Sequence, residues 1–276
     1  MKNNISKLAC FIAVLMATHF SWASGGTCTP PFNTTVFGSF GGVLSDVGMG
    51  QDGTVWSIGS SGVELVVRGN VWTGGSILGA PGGQTTSVGR IAAGPDGSPW
   101  AVDDNNHIWH YILSTGSWQA FTGLARDIAV TPDGTPWVVG TQSTSGGFHI
   151  YFWNGSSWVQ ISGAGTRIAA GPGTDTQPWV VNSSNNIFHR NSNGSFTQLP
   201  GAGSDIGVDL TDTPWVIGTN TVTGGFEVYH FVGGIWQGDP NVGAVALTGG
   251  NQGLGSGCGA YILDNTPPNR LVKSTR

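Results

Sequence analysis

The chain has 276 residues, including 47 glycines and 12 tryptophans, and only 9% of its residues are charged, with a formal net charge of −5. Ordinary globular domains contain about 7% glycine and about 25% charged residues. The absence of a G-X-Y period excludes collagen, the aromatic content excludes a disordered linker, and the shortage of strong helix formers excludes helix bundles and coiled coils, so that an all-β protein with many turns is predicted.

Residues 1–23 are predicted to be a signal peptide. Lys2 and Lys7 form its positive start, Leu8–Phe20 is an apolar run too short to span a bilayer, and Ser21-Trp22-Ala23 fits a cleavage site. We therefore expect residues 24–276 to form a single secreted domain, either extracellular or periplasmic, without membrane insertion.

The charge of this domain excludes several classes of partner. Without Lys2 and Lys7 the net charge changes from −5 to −7. Nucleic acids and anionic membrane surfaces require clustered positive charge, so neither is an expected partner.

A short motif recurs along the chain. Asp52-Gly53-Thr54-Val55-Trp56 returns as Asp96-Gly97-Ser98-Pro99-Trp100 and again around residues 133–137, with looser copies at residues 176–179 and 211–215. The tryptophans of the copies are Trp56, Trp100, Trp137, Trp179 and Trp215, and Tyr261 takes the place in a degenerate sixth copy. A residue that repeats in this way is predicted to pack between structural repeats.

Each copy is predicted to hold four short strands. In the second copy they are Arg90–Ala93, Trp100–Val102, His107–Ile112 and Trp118–Phe121, separated by clusters of proline, glycine, asparagine and aspartate. Four strands in about 42 residues are typical of one blade of a β-propeller. The sequence therefore predicts a six-bladed β-propeller.

The last blade is predicted to take its fourth strand from the other end of the chain. Trp118 precedes Asp127 by nine residues, and Phe37 precedes Asp46 by the same nine. Phe37–Phe40 is therefore expected to pair with the C-terminal strand, so that no blade is left with an unpaired edge.

Charges of alternating sign open the first strand of successive blades. The residues at this place are Asp46, Arg90, Asp127, Arg167, Asp205 and then Ala244. Because the first strands of a propeller line its channel, we expect each arginine to lie between two aspartates at one mouth of that channel. The alternative is that these are unrelated surface charges.

Two further sets of residues are candidates for ligand binding. Trp118, Trp158 and Trp236 open the fourth strand beside polar turns, where an exposed ring could stack on a sugar. His110, His189 and His230 on the third strand could donate hydrogen bonds to sugar hydroxyls. The alternatives are that the tryptophans cover the blade edge and that the histidines bond to nearby backbone. The histidines have no paired spacing, so no metal or other cofactor is expected.

The repeat resembles the tectonin repeat of fish-egg lectins, horseshoe-crab lectin and related fungal and bacterial lectins. The matching residues run from Ile128 to Trp137 and from Ile150 to Trp158, and the similarity covers about residues 32–273. The resemblance implies a non-catalytic, six-bladed propeller that binds glycans. The chain departs from the family in having His110, His189 and His230 where the family commonly has arginine, two residues after the aliphatic residue of the third strand.

The sequence thus indicates a secreted lectin that binds cell-surface glycans multivalently, on bacteria or on a host, with its oligomeric state open. A non-catalytic scaffold for protein partners is the first alternative. A glycoside hydrolase is the second, although the chain has neither a G-x-S-x-G nor an H-E-x-x-H motif.

Cys28 and Cys258 are the cysteines that remain after signal-peptide cleavage, and we expect them to form one disulfide across the last blade. The unfolded, unreduced mature protein should then contain no titratable thiol. Reduction should lower the free energy of unfolding by up to about 5 kcal/mol, the loop-entropy limit for so long a loop. Two titratable thiols per chain would contradict the bond.

Overall fold

The computed structural model describes residues 33–39, 44–59, 62–68, 71–79, 81, 88–249, 259–265 and 270–275. The predicted signal peptide, Cys28 and Cys258 lie outside the described residues, so the disulfide stays a prediction. The described part of the chain is all-β, as the composition predicted, and it contains no helix long and apolar enough to cross a membrane.

The strands follow one another in antiparallel meanders. The first meander comprises β2 (Asp46–Met49), β3 (Val55–Gly59), β4 (Gly62–Arg68) and β5 (Val71–Gly79). A seven-stranded sheet follows, with β6 (Val88–Ala93), β7 (Pro99–Asp103), β8 (His107–Ile112), β9 (Ser117–Val130), β10 (Pro136–Thr144), β11 (Gly147–Trp153) and β12 (Trp158–Gly165). The fourth meander comprises β13 (Arg167–Ala169), β14 (Trp179–Val181), β15 (Ile187–Arg190) and β16 (Phe196–Leu199). The fifth comprises β17 (Asp205–Val208), β18 (Pro214–Val222), β19 (Gly225–Val232) and β20 (Ile235–Ala244). The sixth comprises β21 (Ala246–Gly249), β22 (Gly259–Asp264), β23 (Arg270–Thr275) and β1 (Asn33–Ser39).

The seven-stranded sheet consists of a second and a third meander that share β9. The N-terminal half of β9 pairs with β8, and its C-terminal half pairs with β10. The sequence predicted two separate strands here, Trp118–Phe121 and one that opens at Asp127. They are continuous because the intervening segment stays extended apart from Gly123, whose φ is +91°.

The two ends of the described chain meet in the sixth meander. β1 pairs antiparallel with β23, from Asn33 opposite Thr275 to Ser39 opposite Arg270. The predicted pairing of the N-terminal segment with the last strand is therefore present. The strand begins at Asn33, four residues before the predicted start at Phe37.

The first strands of the meanders pack against one another in chain order. β2 contacts β6, β6 contacts β9, β9 contacts β13, β13 contacts β17, and β17 contacts β21. The last of them, β21, also contacts β2. The first strands therefore surround a common centre.

The repeated aromatic residue fills the space between neighbouring meanders. Trp56, Trp100, Trp137, Trp179, Trp215 and Tyr261 are all buried. Each lies opposite a small residue of the first strand, respectively Gly48, Ala92, Ala129, Ala169, Gly207 and Thr248. The common register confirms Tyr261 as the sixth copy. A Cβ on Gly48 would lie 2.8 Å from the Cα of Ala92 in the next first strand. The small residues are therefore required by the close approach of the first strands.

The turn of the repeat motif is held by its aspartate. The Asp52 carboxylate accepts a hydrogen bond from the Thr54 amide at 2.9 Å, and the Asp96 carboxylate accepts one from the Ser98 amide at 3.0 Å. Such a side chain replaces a backbone partner in a tight turn. These aspartates are therefore used in the fold.

Trp56 and Trp137 offer a matched test of the contact between meanders. The indole N–H of Trp56 donates to the Gly97 carbonyl of the next meander at 2.7 Å, whereas the buried indole N–H of Trp137 has no acceptor among the described residues. Trp56→Phe should therefore lower the free energy of unfolding by about 1 kcal/mol more than Trp137→Phe. Urea unfolding of both variants measures the difference, and equal losses would show that the Trp56 hydrogen bond adds nothing.

Candidate functional site

Aromatic side chains are paired across the outermost hairpin of three meanders. Tyr111 and Trp118 have ring centroids 5.2 Å apart, Trp153 and Trp158 are 5.3 Å apart, and Phe231 and Trp236 are 5.0 Å apart. All six side chains are half-buried. We call these the rim pairs, because they lie on the two strands farthest from the common centre.

The tryptophans of the rim pairs also join neighbouring meanders. The indole N–H of Trp158 donates to the Thr122 carbonyl at 2.6 Å, and that of Trp236 donates to the Pro200 carbonyl at 2.6 Å. Both acceptors end the fourth strand of the preceding meander. Trp118 packs beside a cluster that includes Trp56. The edge-covering role that the sequence left open is therefore real, and it leaves part of each ring exposed.

The hairpin turns beside the rim pairs are uncharged, and the first two of them carry polar side chains. They comprise residues 113–117, residues 154–157 and residues 233–234. In the second of them the Asn154 side chain accepts hydrogen bonds from the amides of Ser156 and Ser157 at 3.0 and 2.9 Å. Hydroxyl and amide groups thus lie next to partly exposed aromatic rings.

The three histidines lie against the repeated tryptophans, and the ligand contact expected for them stays a prediction. His110 stacks on Trp100 with centroids 4.0 Å apart, and His189 and His230 lie in the same way on Trp179 and Trp215 at 4.3 and 4.8 Å. These tryptophans are the repeated ones, and the strand that carries them lies opposite the third strand. His189 and His230 are buried, and His110 is half-buried with its Nε2 2.8 Å from the Ser98 hydroxyl. The rings therefore extend the packing of the repeated tryptophans.

Four of the five alternating charges lie at the common centre, and Arg90 lies between two aspartates as the sequence predicted. The Arg90 guanidinium lies 3.5 Å from the Asp46 carboxylate and 3.9 Å from that of Asp127. The Arg167 guanidinium lies 3.5 Å from the Asp205 carboxylate. Asp46, Arg90, Asp127 and Asp205 line one cavity of about 50 Å³ together with the first strands. We call the five charged residues the charge ring.

The sixth place of the charge ring belongs to Ala246, and this corrects the assignment to Ala244. Ala246 opens β21 and pairs with Leu263, just as Asp46 opens β2 and pairs with Ile58. Ala244 ends β20 and pairs with Phe226. Counting along the sequence placed the start of this strand two residues too early, at Ala244, because β20 continues to that residue and β21 begins at Ala246.

Burial changes the acidity of the charge ring. It raises the pKa of Asp46 to about 7, where Arg90 acts to lower it and Asp205 and Asp127 act to raise it. Burial likewise raises the pKa of Asp205 to about 6 and raises that of Asp127, against the nearby arginines. Removing a carboxylate from water disfavours its charged form.

The sequence analysis missed half of each rim pair. It selected Trp118, Trp158 and Trp236 but not their partners Tyr111, Trp153 and Phe231. The available signal was an aromatic residue on each side of the third turn. Among the described residues, no group of histidine, cysteine, aspartate and glutamate side chains is suited to hold a metal ion.

The family comparison supports the resemblance drawn from the repeat. Residues 87–194 match the family model of the tectonin domain. A comparison with curated protein sequences found no match. The tectonin assignment predicted from the motifs is thus confirmed for this part of the chain.

Solved structures with a similar fold have low sequence identity. Virginiamycin B lyase from Staphylococcus aureus superposes with a TM-score of 0.55 at 15% identity, covering 89% of this chain and 88% of that chain. YCF48 bound to D1 peptide has a TM-score of 0.55 at 12% identity, covering 90% and 98%. A putative gluconolactonase has a TM-score of 0.56 at 12% identity, covering 90% and 93%. At such identities the likeness concerns the fold alone, which is propeller-like and all-β.

The packing of the rim tryptophans can be tested with two glycines of similar backbone conformation. Gly201 has φ +89° and a Cβ there would lie 3.0 Å from the Trp236 ring, whereas Gly155 has φ +96° and open space around it. Both alanine variants lose about 1–2 kcal/mol through the left-handed backbone. Gly201→Ala should lose about a further 1–3 kcal/mol through overpacking. Thermal or urea unfolding measures the difference, and equal losses would mean that the Trp236 ring gives way freely.

Proposed function

Starting from the tectonin domain at residues 87–194, we propose that this protein is a secreted, six-bladed β-propeller lectin that binds cell-surface glycans. Residues 24–276 would form the single propeller domain after removal of the signal peptide. The Cys28–Cys258 disulfide would then lie in the sixth blade.

The proposal of six blades is supported by the course of the chain. In the described chain, four four-stranded sheets and one seven-stranded sheet whose two halves share β9 follow one another, and the first strand of the last sheet contacts that of the first. β1 supplies the outermost strand of the sixth meander. A sheet array closed in this way protects its edges from pairing with other chains.

The observation that carries the lectin proposal is the threefold recurrence of the rim pair. Each pair offers part of an aromatic ring without a charged residue in the adjoining turn, and the turns beside the first two pairs also carry hydroxyl or amide side chains. A sugar presents an apolar C–H face to an aromatic ring and hydroxyls to polar neighbours, so this combination suits a neutral sugar.

Several equivalent sites on one rigid body favour recognition of surfaces. Single shallow sites bind weakly, but a surface that presents many copies of a sugar can engage several sites at once. The expected partners are therefore glycans on bacterial or host cells. Neither nucleic acid nor the membrane interior is part of the proposal.

A protein-binding scaffold is the second candidate function. One observation favours it: the propeller-like YCF48 has a solved structure bound to D1 peptide. Two other fold neighbours bear the names of enzymes, but at 15% and 12% identity they carry only the fold. We propose that this protein is not an enzyme, since aspartates such as Asp52 and Asp96 already hold the turns.

A glycan array tests the lectin proposal with the mature protein under non-reducing conditions. We expect binding to a subset of neutral glycans, and its loss in the combined variant Trp118→Ala, Trp158→Ala and Trp236→Ala. Each single variant should lower the apparent affinity for a multivalent surface by about tenfold or more, because one site of three is removed.

Phe196→Ala is the matched control. Phe196 holds the same place in the fourth meander, where a Cβ on Gly163 would lie 2.8 Å from its ring, but its cross-strand neighbour is Arg190 rather than an aromatic residue. This variant should keep glycan binding, and near-ultraviolet circular dichroism checks that all variants fold. No glycan binding together with a specific protein partner would favour the scaffold, and turnover of synthetic glycosides would show an enzyme.

A further inference from the structure

The charge ring contains three carboxylates and two guanidinium groups. Asp46 opens β2, Asp127 opens the C-terminal half of β9, and Asp205 opens β17. The arginines lie on the first strands between them, Arg90 on β6 and Arg167 on β13. The sixth first strand, β21, has the sequence Ala-Leu-Thr-Gly and brings no charge. With every group ionised, the ring therefore carries one unmatched negative charge.

Two of the three carboxylates are held away from bulk water. The second carboxylate oxygen of Asp46 accepts a hydrogen bond from the Ile91 amide at 2.8 Å. That of Asp127 accepts one from the Ile168 amide at 2.9 Å. Both aspartates are buried. The cavity of about 50 Å³ in front of them is narrow and partly open to solvent. A buried carboxylate without a full partner is stabilised by binding a proton.

The imbalance is located at the seam where the chain closes. Arg90 lies between Asp46 and Asp127, and Arg167 approaches Asp205. Between Asp205 and Asp46 the corresponding place is Ala246, on a strand that contacts both β17 and β2. The sixth first strand therefore brings no cation between these two carboxylates, and Arg90 lowers the pKa of both from its place on β6.

We propose that the charge ring makes this seam sensitive to pH, because one proton held by Asp46 and Asp205 stabilises the packing of the sixth meander between the first and the fifth. Release of the proton as the medium becomes neutral loosens the packing of β21 against β2 and β17. This device rests on the cyclic contacts of the first strands and is independent of sugar binding.

The direction of the pH effect follows from the groups that face the seam. They are Arg90 of β6, Asp127 of β9 and Arg167 of β13, and β21 offers none. The pKa values of Asp46 and Asp205, about 7 and about 6 in the folded protein, lie above the ordinary aspartate value of about 3.9. The folded state therefore holds protons that the unfolded state has lost, and stability falls as the pH rises from about 4 to about 7.

The test compares unfolding of the wild-type mature chain and of Asp205→Asn between pH 5 and pH 8 at constant ionic strength. The unfolding constant of the wild type should rise about ten- to a hundredfold over this interval through the shared proton. Asp205→Asn balances two carboxylates with two guanidinium groups, and most of that rise should disappear.

Two controls separate the seam from other titrations. Asp104→Asn makes the same chemical change on an exposed side chain outside the charge ring and should keep the wild-type pH profile. Ala246→Arg places a cation in the gap and should flatten the profile, whereas Val245→Arg adds the same charge at the neighbouring exposed residue and should not. Comparing variants cancels the titrations that they share.

Hydrogen exchange locates the effect. After correction for the intrinsic pH dependence, amides of β21 and β2 should exchange faster at pH 8 than at pH 6 in the wild type but not in Asp205→Asn. Equal pH profiles for the wild type and Asp205→Asn would overturn the proposal. So would a wild-type stability that is insensitive to pH but depends on the identity of the monovalent cation, because the gap would then hold a metal ion.

Discussion

The fold depends on one repeated contact, in which a large aromatic side chain lies opposite a very small residue of the first strand. Trp56 opposite Gly48 and Trp215 opposite Gly207 are examples. Because Gly48 lacks a Cβ, its strand can approach the next first strand closely. The aromatic ring then fills the wedge that opens as the strands of neighbouring meanders diverge. Burial of six such rings supplies apolar area at every interface between meanders.

The same contact determines where the charges lie. First strands packed so closely around a centre leave only a narrow cavity, and the residue that opens each strand lies at its edge. A charge there is partly removed from water, and it needs an opposite charge from the neighbouring strand. The alternation of aspartate and arginine gives Arg90 an aspartate on either side. Beside Ala246 no arginine stands between the neighbouring aspartates. Glycine is common in this chain because each meander requires tight turns, as at Asp96-Gly97.

The sequence predicted the features that repeat, and it failed where the repeat is irregular. The tryptophans and the alternating charges recur once in each copy of the motif, and Phe37 precedes Asp46 by the same nine residues as Trp118 precedes Asp127, so the repeat was enough to identify them. Ala244 was chosen instead of Ala246 because the degenerate sixth copy has no motif from which to count. The packing of the histidines was not predicted, because side-chain orientation depends on strand register. The register places His230 against Trp215. The partners of the rim tryptophans were overlooked because the pairing of aromatic residues appears only when the hairpin is formed.

The rim pairs combine a structural and a proposed binding role in the same side chains. Trp158 uses its indole N–H to hold the Thr122 carbonyl of the preceding meander, so only the remaining ring surface is available to a ligand. A sugar on that surface would contact two meanders at once, because the end of one fourth strand lies against the beginning of the next. Binding there would add to the attachment of neighbouring meanders. The charge ring attaches the same meanders at the centre, through partly buried ion pairs that lie far along the sheet from the outer hairpins. The outer end of each meander is therefore held by aromatic packing, and the inner end is held by charge. A change in pH can act on the charges at the centre without acting directly on the aromatic packing at the rim.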